Sequence, residues 1–183
     1  MKLGVIAEDT SDWRVIEHLT RAMVPGRPAF TGFAAHGCGK LIRKCASWAR
    51  DLVRRKCDVI VVIHDLDTNV EPRLRRVLET SVAGCGVERS IVLIPRVTIE
   101  AWLMCDAAAI AKVFRRKDEL RLPVHPEREL RPKDKLERLI RATYGEQYLS
   151  TVHNEQIAKE MSPKRLRNVA SFRAYPVFLG VRL

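Results

Sequence analysis

The sequence lacks the features that define secreted, membrane-spanning or zinc-binding proteins. Its five cysteines are scattered singly and form no C-x-x-C pair, which favours buried, reduced thiols over a disulfide framework or a zinc site. No run approaches the roughly 18 to 20 apolar residues that a membrane-spanning helix requires. The apolar start of the chain meets an acidic pair, Glu8 and Asp9, where a signal peptide would continue its apolar region. We therefore expect a cytoplasmic protein with no membrane partner.

Two signatures of nucleotide- and base-binding proteins are also missing. Aromatic residues make up only 6% of the chain, so no stacking platform for single-stranded bases is evident. The stretch "HGCGK" does not fit a Walker A loop, because Leu41 stands in place of the hydroxyl residue and Ala34 in place of the first glycine. The stretch is a plain turn or a turn whose backbone amides contact a phosphate, with Lys40 adding charge.

Positive charge, in contrast, is abundant. Lysine and arginine number 33 against 22 acidic residues, a net charge of +11, which favours a polyanionic partner such as nucleic acid, although basic surfaces also serve solubility. Each cationic run is typical of a solvated helix face, but together such runs can form a track for a phosphate backbone. As nucleic-acid-binding residues we predict Lys40, Arg43, Arg73 and Arg76.

Apolar, β-branched runs alternate with amphipathic segments over the first part of the chain. This alternation is typical of a parallel sheet covered on both faces by helices, so residues 1–114 are predicted to form an α/β core. The predicted strands cover residues 3–7, 28–37, 58–65 and 90–95, and the helical segments cover residues 9–23, 40–55, 71–83 and 98–114.

The remaining residues, 115–183, have a different character. Residues 115–131 are highly charged and contain Pro123 and Pro126, which predicts a connector. Helices are predicted at about 133–143 and 153–161, and a last one from Ser162. We expect this helical extension to pack on the core within a single domain.

Acidic residues follow three of the four predicted strands. Glu8 ends the first strand, Asp65 and Asp67 end the third in "VIVVIHDLDT", and Glu100 follows the fourth. Because functional groups gather at the carboxyl ends of parallel strands, these four carboxylates are expected at one edge of the sheet.

Carboxylates brought together need a compensating cation, and oxygen ligands suit Mg²⁺ or Mn²⁺. In an extended chain, Asp65 and Asp67 point the same way, so both can reach one ion while Leu66 turns into the core. The alternative is that these acids are merely solvated at strand ends or cap helices, as Asp9 and Asp12 are expected to do.

These residues resemble the Toprim domain of topoisomerases, primases, OLD-family nucleases and RNase M5-type maturases. The resemblance rests on "VIAE" with Glu8, "HDLD" with Asp65 and Asp67, and "PRVTIEAWLMCD" with Glu100. "RPKDKLERLI" and "SFRAYPVFLGVRL" are similar to the tail of small stand-alone Toprim-like proteins catalogued as a domain of unknown function.

The resemblance implies a Rossmann-like Toprim fold of about four parallel strands and metal-dependent chemistry on phosphodiesters. It implies that Glu8 does general acid or base work and that Asp65 and Asp67 bind magnesium, with Glu100 as a further ligand. Lys133 is the candidate to stabilise charge developing on the phosphate, provided that the C-terminal helices fold back over the acidic edge.

Three functions follow as hypotheses. The first is a magnesium-dependent, Toprim-type nuclease or phosphotransferase that acts on nucleic acid in a phage-defence or nucleic-acid-processing system. The second is a non-catalytic nucleic-acid-binding or regulatory partner of a separately encoded ATPase. The third, a phosphatase of small molecules, gives no reason for the charge of +11.

Overall fold

The computed structural model describes residues 1–183, except for the side chain of Cys38. Four strands and eight α-helices follow one another along the chain. The strands are β1 (Lys2–Ala7), β2 (Ala29–Ala34), β3 (Val59–Ile63) and β4 (Ser90–Leu93), and the helices are α1 (Thr10–Met23), α2 (Cys38–Arg54), α3 (Glu71–Ala83), α4 (Glu100–Leu103), α5 (Ala107–Val113), α6 (Pro132–Tyr144), α7 (Ser150–Glu160) and α8 (Ala174–Phe178).

The four strands form one parallel sheet in the order β2-β1-β3-β4. This confirms the predicted α/β fold, a Rossmann-like parallel sheet flanked by helices. The chain moves outward from β1 to β2 and then returns to place β3 on the other side of β1. The strand order therefore reverses between β1 and β3, and ligands of open α/β sheets bind at such a switch point.

The central strands are buried on both faces, as their continuous aliphatic sequence predicts. Every residue of β3 is at most 1% exposed. Alternate side chains enter two hydrophobic cores: one lies under α2 and α3, and the other lies under α1 and the helices that follow β4. The sheet thus separates α2 and α3 from the C-terminal half of the chain.

The segment 98–114 differs from the predicted single helical segment, because it contains two short helices. Asp106 lies between α4 and α5 and caps the N-terminus of α5: its Oδ1 accepts a hydrogen bond from the Ala109 backbone amide at 3.2 Å. Its Oδ2 accepts one from the Ser162 amide at 3.1 Å. An aspartate that satisfies backbone donors on both sides favours a helix start over a helix interior.

The helices after residue 115 share the hydrophobic core of α1 and the sheet. α7 begins at Ser150, three residues earlier than predicted, and packs against α1 and α5. The segment predicted as a helix from Ser162 is a 3₁₀ helix at Pro163–Leu166, followed by turns and α8. This arrangement brings α7 over the carboxyl end of the sheet.

The connector 115–131 contains only a 3₁₀ turn, Pro126–Arg128, as its regular structure among the described residues. Glu127 fixes this turn to the C-terminal segment. Its carboxylate accepts hydrogen bonds from the backbone amides of Ala170 at 2.8 Å and Ser171 at 3.3 Å. The side chain of Ser171 in turn accepts a hydrogen bond from the Trp102 indole at 2.7 Å.

Candidate active site

An acidic cavity of about 370 Å³ opens at the carboxyl end of the sheet. All four carboxylates predicted to share this edge line it, together with Lys133 from α6. The full lining set is Glu8, Asp9, Ser11, Asp12, Gly37, Asp65, Asp67, Thr98, Ile99, Glu100, Lys133, Ser150 and Asn154. We refer to this space as the acidic cavity. It lies beside the switch point, since Glu8 follows β1 and Asp65 follows β3.

Glu8 stands between the central strand β1 and the first turn of α1. Its carbonyl oxygen accepts hydrogen bonds from the amides of His36 at 2.8 Å and Gly37 at 3.4 Å, which fixes the backbone against the loop after β2. Its Oε2 lies 3.4 Å from Nδ1 of the fully buried His64. Nδ1 makes its close contact, 2.6 Å, with the Asp65 carbonyl oxygen, so His64 connects the ends of β1 and β3.

The backbone at Asp65 and Asp67 differs from the extended chain that the sequence argument assumed. β3 ends at Ile63, and Asp67 has a left-handed conformation with φ of 47°. Its amide donates to the Val97 carbonyl at 2.9 Å, and Val97 is itself left-handed, with φ of 61°. A β-branched residue in this region is strained, and such strain is concentrated at functional sites. Both carboxylates still line the acidic cavity. The hydrogen bond between Asp67 and Val97 fixes the loop after β3 against the loop after β4.

Glu100 lies at the start of α4 and is only 3% exposed. Two side chains from the C-terminal extension hold one of its oxygens. The Asn154 amide nitrogen donates to Oε1 at 3.2 Å, and the Tyr148 hydroxyl lies 3.3 Å from the same atom. Tyr148 also hydrogen-bonds to Asn154 Oδ1. Tyr148 and Asn154 therefore orient Glu100 through its Oε1 and make no such contact with its Oε2.

Asp12 belongs to the acidic cavity, although the sequence argument gave it only a capping role. It does cap α1, because its Oδ2 accepts a hydrogen bond from the Asp9 amide at 3.1 Å. It is also only 6% exposed and faces the other acids. The sequence contained a signal, since Asp12 is four residues after Glu8 and lies in the first turn of a helix that starts at the sheet edge.

Burial and mutual repulsion raise the pKa values of several of these acids. Burial, and then the charge of Glu100, raises the pKa of Asp12 to about 7. Burial and the surrounding carboxylates hold the pKa of Asp65 well above its usual range. Burial also raises the pKa of Glu8, an effect that the nearby His64 opposes. These shifts have the sign expected of carboxylates gathered without a neutralising cation.

Unsatisfied polar atoms point the same way. Glu8 Oε2, Asp65 Oδ1 and Thr98 Oγ1 are buried and have no hydrogen-bond partner in the described structure. Buried oxygens are nearly always paired, so atoms left over in a cavity indicate a place for a ligand. Of the residues in the described part of the chain that line the cavity, Lys133 alone is basic.

These residues fit a hard divalent cation by their chemistry. Every charged candidate ligand is a carboxylate, the donor type that Mg²⁺ and Mn²⁺ prefer. Among the described residues, no three His, Cys, Asp or Glu side chains are already gathered into a metal-binding group. The fit therefore rests on the donor type and on the unpaired Oδ1 of Asp65.

The four residues predicted to bind nucleic acid lie apart from the acids, on the helices of the other face. Lys40 and Arg43 are exposed on α2, and Arg73 and Arg76 are exposed on α3. Of the four, Lys40 is nearest in the chain to the acidic cavity, since Gly37, which lines it, immediately precedes α2. The structure thus brings together the predicted catalytic and metal-binding residues, but not these four.

The described helices include none that is both long and apolar enough to cross a membrane. A family model described as a domain of unknown function (DUF4276) matches residues 11–176, so the chain belongs to this family. No curated protein and no solved structure matches the chain. Because the family description names no activity, the resemblance to the Toprim domain stays a prediction, and function has to be argued from the site.

Proposed function

We propose that this protein is a metal-dependent nuclease or related phosphotransferase acting on the phosphodiester bonds of nucleic acid. One observation carries the proposal: Glu8, Asp12, Asp65, Asp67 and Glu100 converge on one cavity at the switch point of the sheet. With Asp9, which also lines the cavity, six acids in a chain with a net charge of +11 need a specific reason. A metal that in turn binds a phosphate gives that reason.

Asp65, Asp67 and Glu100 are the proposed ligands of Mg²⁺ or Mn²⁺, and Asp12 lines the same cavity. Such a cation, when bound, neutralises charge on a phosphodiester and orients the nucleophile. Tyr148 and Asn154 hold Oε1 of the Glu100 carboxylate and so fix its orientation. Metal ligands in proteins are usually oriented by hydrogen bonds of this kind from neighbouring side chains.

Glu8 is the proposed general acid or base. Burial raises its pKa, and a catalytic carboxyl exchanges protons best when its pKa approaches the working pH. His64 lies beside it and connects it to the loop of Asp65. Lys133, which also lines the cavity, stabilises negative charge that develops on the phosphate oxygens.

This assignment is the one that the Toprim resemblance implies, and the parallel sheet and the clustered acids agree with it. We place the protein in the cytoplasm, with nucleic acid as its partner and a role in phage defence or nucleic-acid processing. A separately encoded ATPase is a candidate second partner.

The test is cleavage of single- and double-stranded DNA, structured RNA and transfer RNA with magnesium or manganese. Wild-type protein is compared with Asp65→Asn/Asp67→Asn and with a control, Asp134→Asn, whose carboxylate is exposed on α6. We expect wild type and control to cleave at least one substrate class and the double variant to cleave none. Equal cleavage by all three proteins would assign the activity to a contaminant.

A different result supports the alternative function. Wild-type protein that binds nucleic acid but cleaves nothing with either metal would contradict the nuclease assignment. The non-catalytic partner of an ATPase would then be the better description, and co-purification with that ATPase would be the next experiment.

A further inference from the structure

A second cavity, of about 710 Å³, is larger than the acidic cavity and shares none of its lining residues. It lies between the connector and the C-terminal segment, with one wall from the region of α4 and α5. Residues 119–120, 122–128 and 165, together with 168–170, form most of it. We call it the connector cavity.

Three arginines give the connector cavity its charge. Arg96, Arg128 and Arg165 line it, and all three are exposed. Within the described structure, none of them makes an ion pair or a side-chain hydrogen bond, unlike many arginines elsewhere in the chain. Of the two lining glutamates, Glu127 is already bound by backbone amides, which leaves Glu119 as the only free carboxylate among the described lining residues.

The rest of the lining is largely apolar. Met104, Leu122, Pro123, Val124 and Val169 contribute to it. Val124 is 88% exposed, so its side chain is accessible to a molecule that enters the cavity. An apolar surface beside guanidinium groups matches a ligand with a flat ring and an anionic group, such as a nucleoside phosphate.

One short segment joins the two cavities. Thr98, Ile99 and Glu100 line the acidic cavity, whereas Arg96 and Met104, on either side of them, line the connector cavity. Glu100 is the fourth residue after Arg96, so their Cα atoms are at most about 14 Å apart. A nucleic-acid strand carries one phosphate per roughly 3.4 Å of helix axis, so only a few nucleotides are needed to span both sites.

We infer that the connector cavity binds a nucleotide of the same strand whose phosphodiester lies at the acidic cavity, with its phosphate on Arg96, Arg128 and Arg165. This inference rests on the proposed function for its substrate class. The inference also changes the predicted nucleic-acid contact surface. The nucleic-acid strand follows the connector side of the sheet rather than the side covered by α2 and α3, to which the sequence pattern pointed.

Binding is measured in the Asp65→Asn/Asp67→Asn background, in which the proposed cleavage is absent. The probes are short fluorescent strands of DNA and RNA, single and double, titrated at several salt concentrations. The test variant adds Arg96→Gln/Arg128→Gln/Arg165→Gln. A charge-matched control adds Arg27→Gln/Arg50→Gln/Lys56→Gln instead, which are exposed residues outside both cavities.

We expect the test variant to bind at least tenfold more weakly than its background. The magnitude of the slope of log K against log salt concentration should fall by about 2 to 3, because each lost phosphate contact removes about 0.9. The control should stay within about twofold, because its charges lie outside the track. Single variants of each arginine, checked by thermal unfolding, should each lose about 1 from the slope. A mononucleotide at high concentration should compete with the strand.

The inference is overturned if the test variant keeps the affinity and slope of its background, if the control loses as much as the test variant, or if no probe binds. A mononucleotide that binds tightly while no strand binds would also overturn it. Cleavage by proteins with intact Asp65 and Asp67 judges the proposed function separately. Arginine-dependent binding without metal-dependent cleavage would contradict the nuclease and leave this strand path standing.

Discussion

Replacing Asp12 by asparagine should make the metal-free protein more stable, although it removes a buried group that caps a helix. Asp12 has a pKa of about 7 against a usual value of 3.8, chiefly because burial disfavours its charge. At 1.36 kcal/mol per pH unit, this difference corresponds to roughly 4 kcal/mol that ionised Asp12 takes from the folded state. Asparagine keeps an acceptor for the Asp9 amide but caps less well, so we expect a net gain of about 3 kcal/mol.

The gain should depend on pH in a defined direction. A carboxyl whose pKa is raised on folding stabilises the folded protein fully at pH values below the pKa that it has in the unfolded chain. This stabilisation is lost as the pH rises through the pKa that it has in the folded protein. Wild type therefore loses stability between pH 3.8 and about 7, whereas Asp12→Asn does not lose this part. The difference in stability between Asp12→Asn and wild type should be small near pH 3.8 and largest above about pH 7.

The assay is thermal unfolding in EDTA at a series of pH values, with wild type, Asp12→Asn and the exposed control Glu88→Gln. Above pH 7, a gain of about 3 kcal/mol raises the Tm of a chain of this size by roughly 6 to 12 °C. The reasoning is refuted if Asp12→Asn is no more stable than wild type above pH 7, or if its advantage is the same at every pH.

Three further outcomes follow from the acidic cavity. Millimolar Mg²⁺ should raise the Tm of wild type, because a ligand of the folded state stabilises it, and should leave Asp65→Asn/Asp67→Asn unchanged; equal shifts in both would place the ion elsewhere. Tyr148→Phe should weaken Mg²⁺ binding by about 10- to 100-fold in calorimetric titration, since Glu100 loses a hydrogen bond that orients it, and unchanged affinity would contradict this role. Lys133→Ala should lower the cleavage rate by roughly 10²-fold with little change in Mg²⁺ affinity, and Lys133→Arg should restore part of it; a change in metal affinity alone would contradict a role on the phosphate.

The parallel sheet was predictable because its strands are continuous aliphatic runs separated by amphipathic helices. Once the strands are parallel, their carboxyl ends share an edge, and the convergence of Glu8, Asp65 and Glu100 follows from topology alone. The resemblance was the only basis for assuming that the C-terminal helices fold back over the acidic edge, and the structure places Lys133 of α6 in the cavity, as that assumption required.

The details that depend on contacts between distant residues were not predictable. The left-handed backbone of Asp67 depends on a hydrogen bond to Val97, in another loop. The hold of Tyr148 and Asn154 on Glu100 joins residues about fifty positions apart, and no local pattern signals it. Asp106, which separates α4 from α5, is a local signal for a helix start. The alanine-rich sequence around it, however, predicts an uninterrupted helix equally well.

The order in which the cavity's residues occur in the chain has a consequence for synthesis. Glu8 leaves the ribosome more than a hundred residues before Lys133, Tyr148 and Asn154 do. Until they do, Glu100 lacks the partners that hold it, and the acidic cavity lacks a wall. A nascent chain therefore carries an incomplete site while it is still attached to messenger RNA, and the proposed activity begins only after Asn154 has emerged.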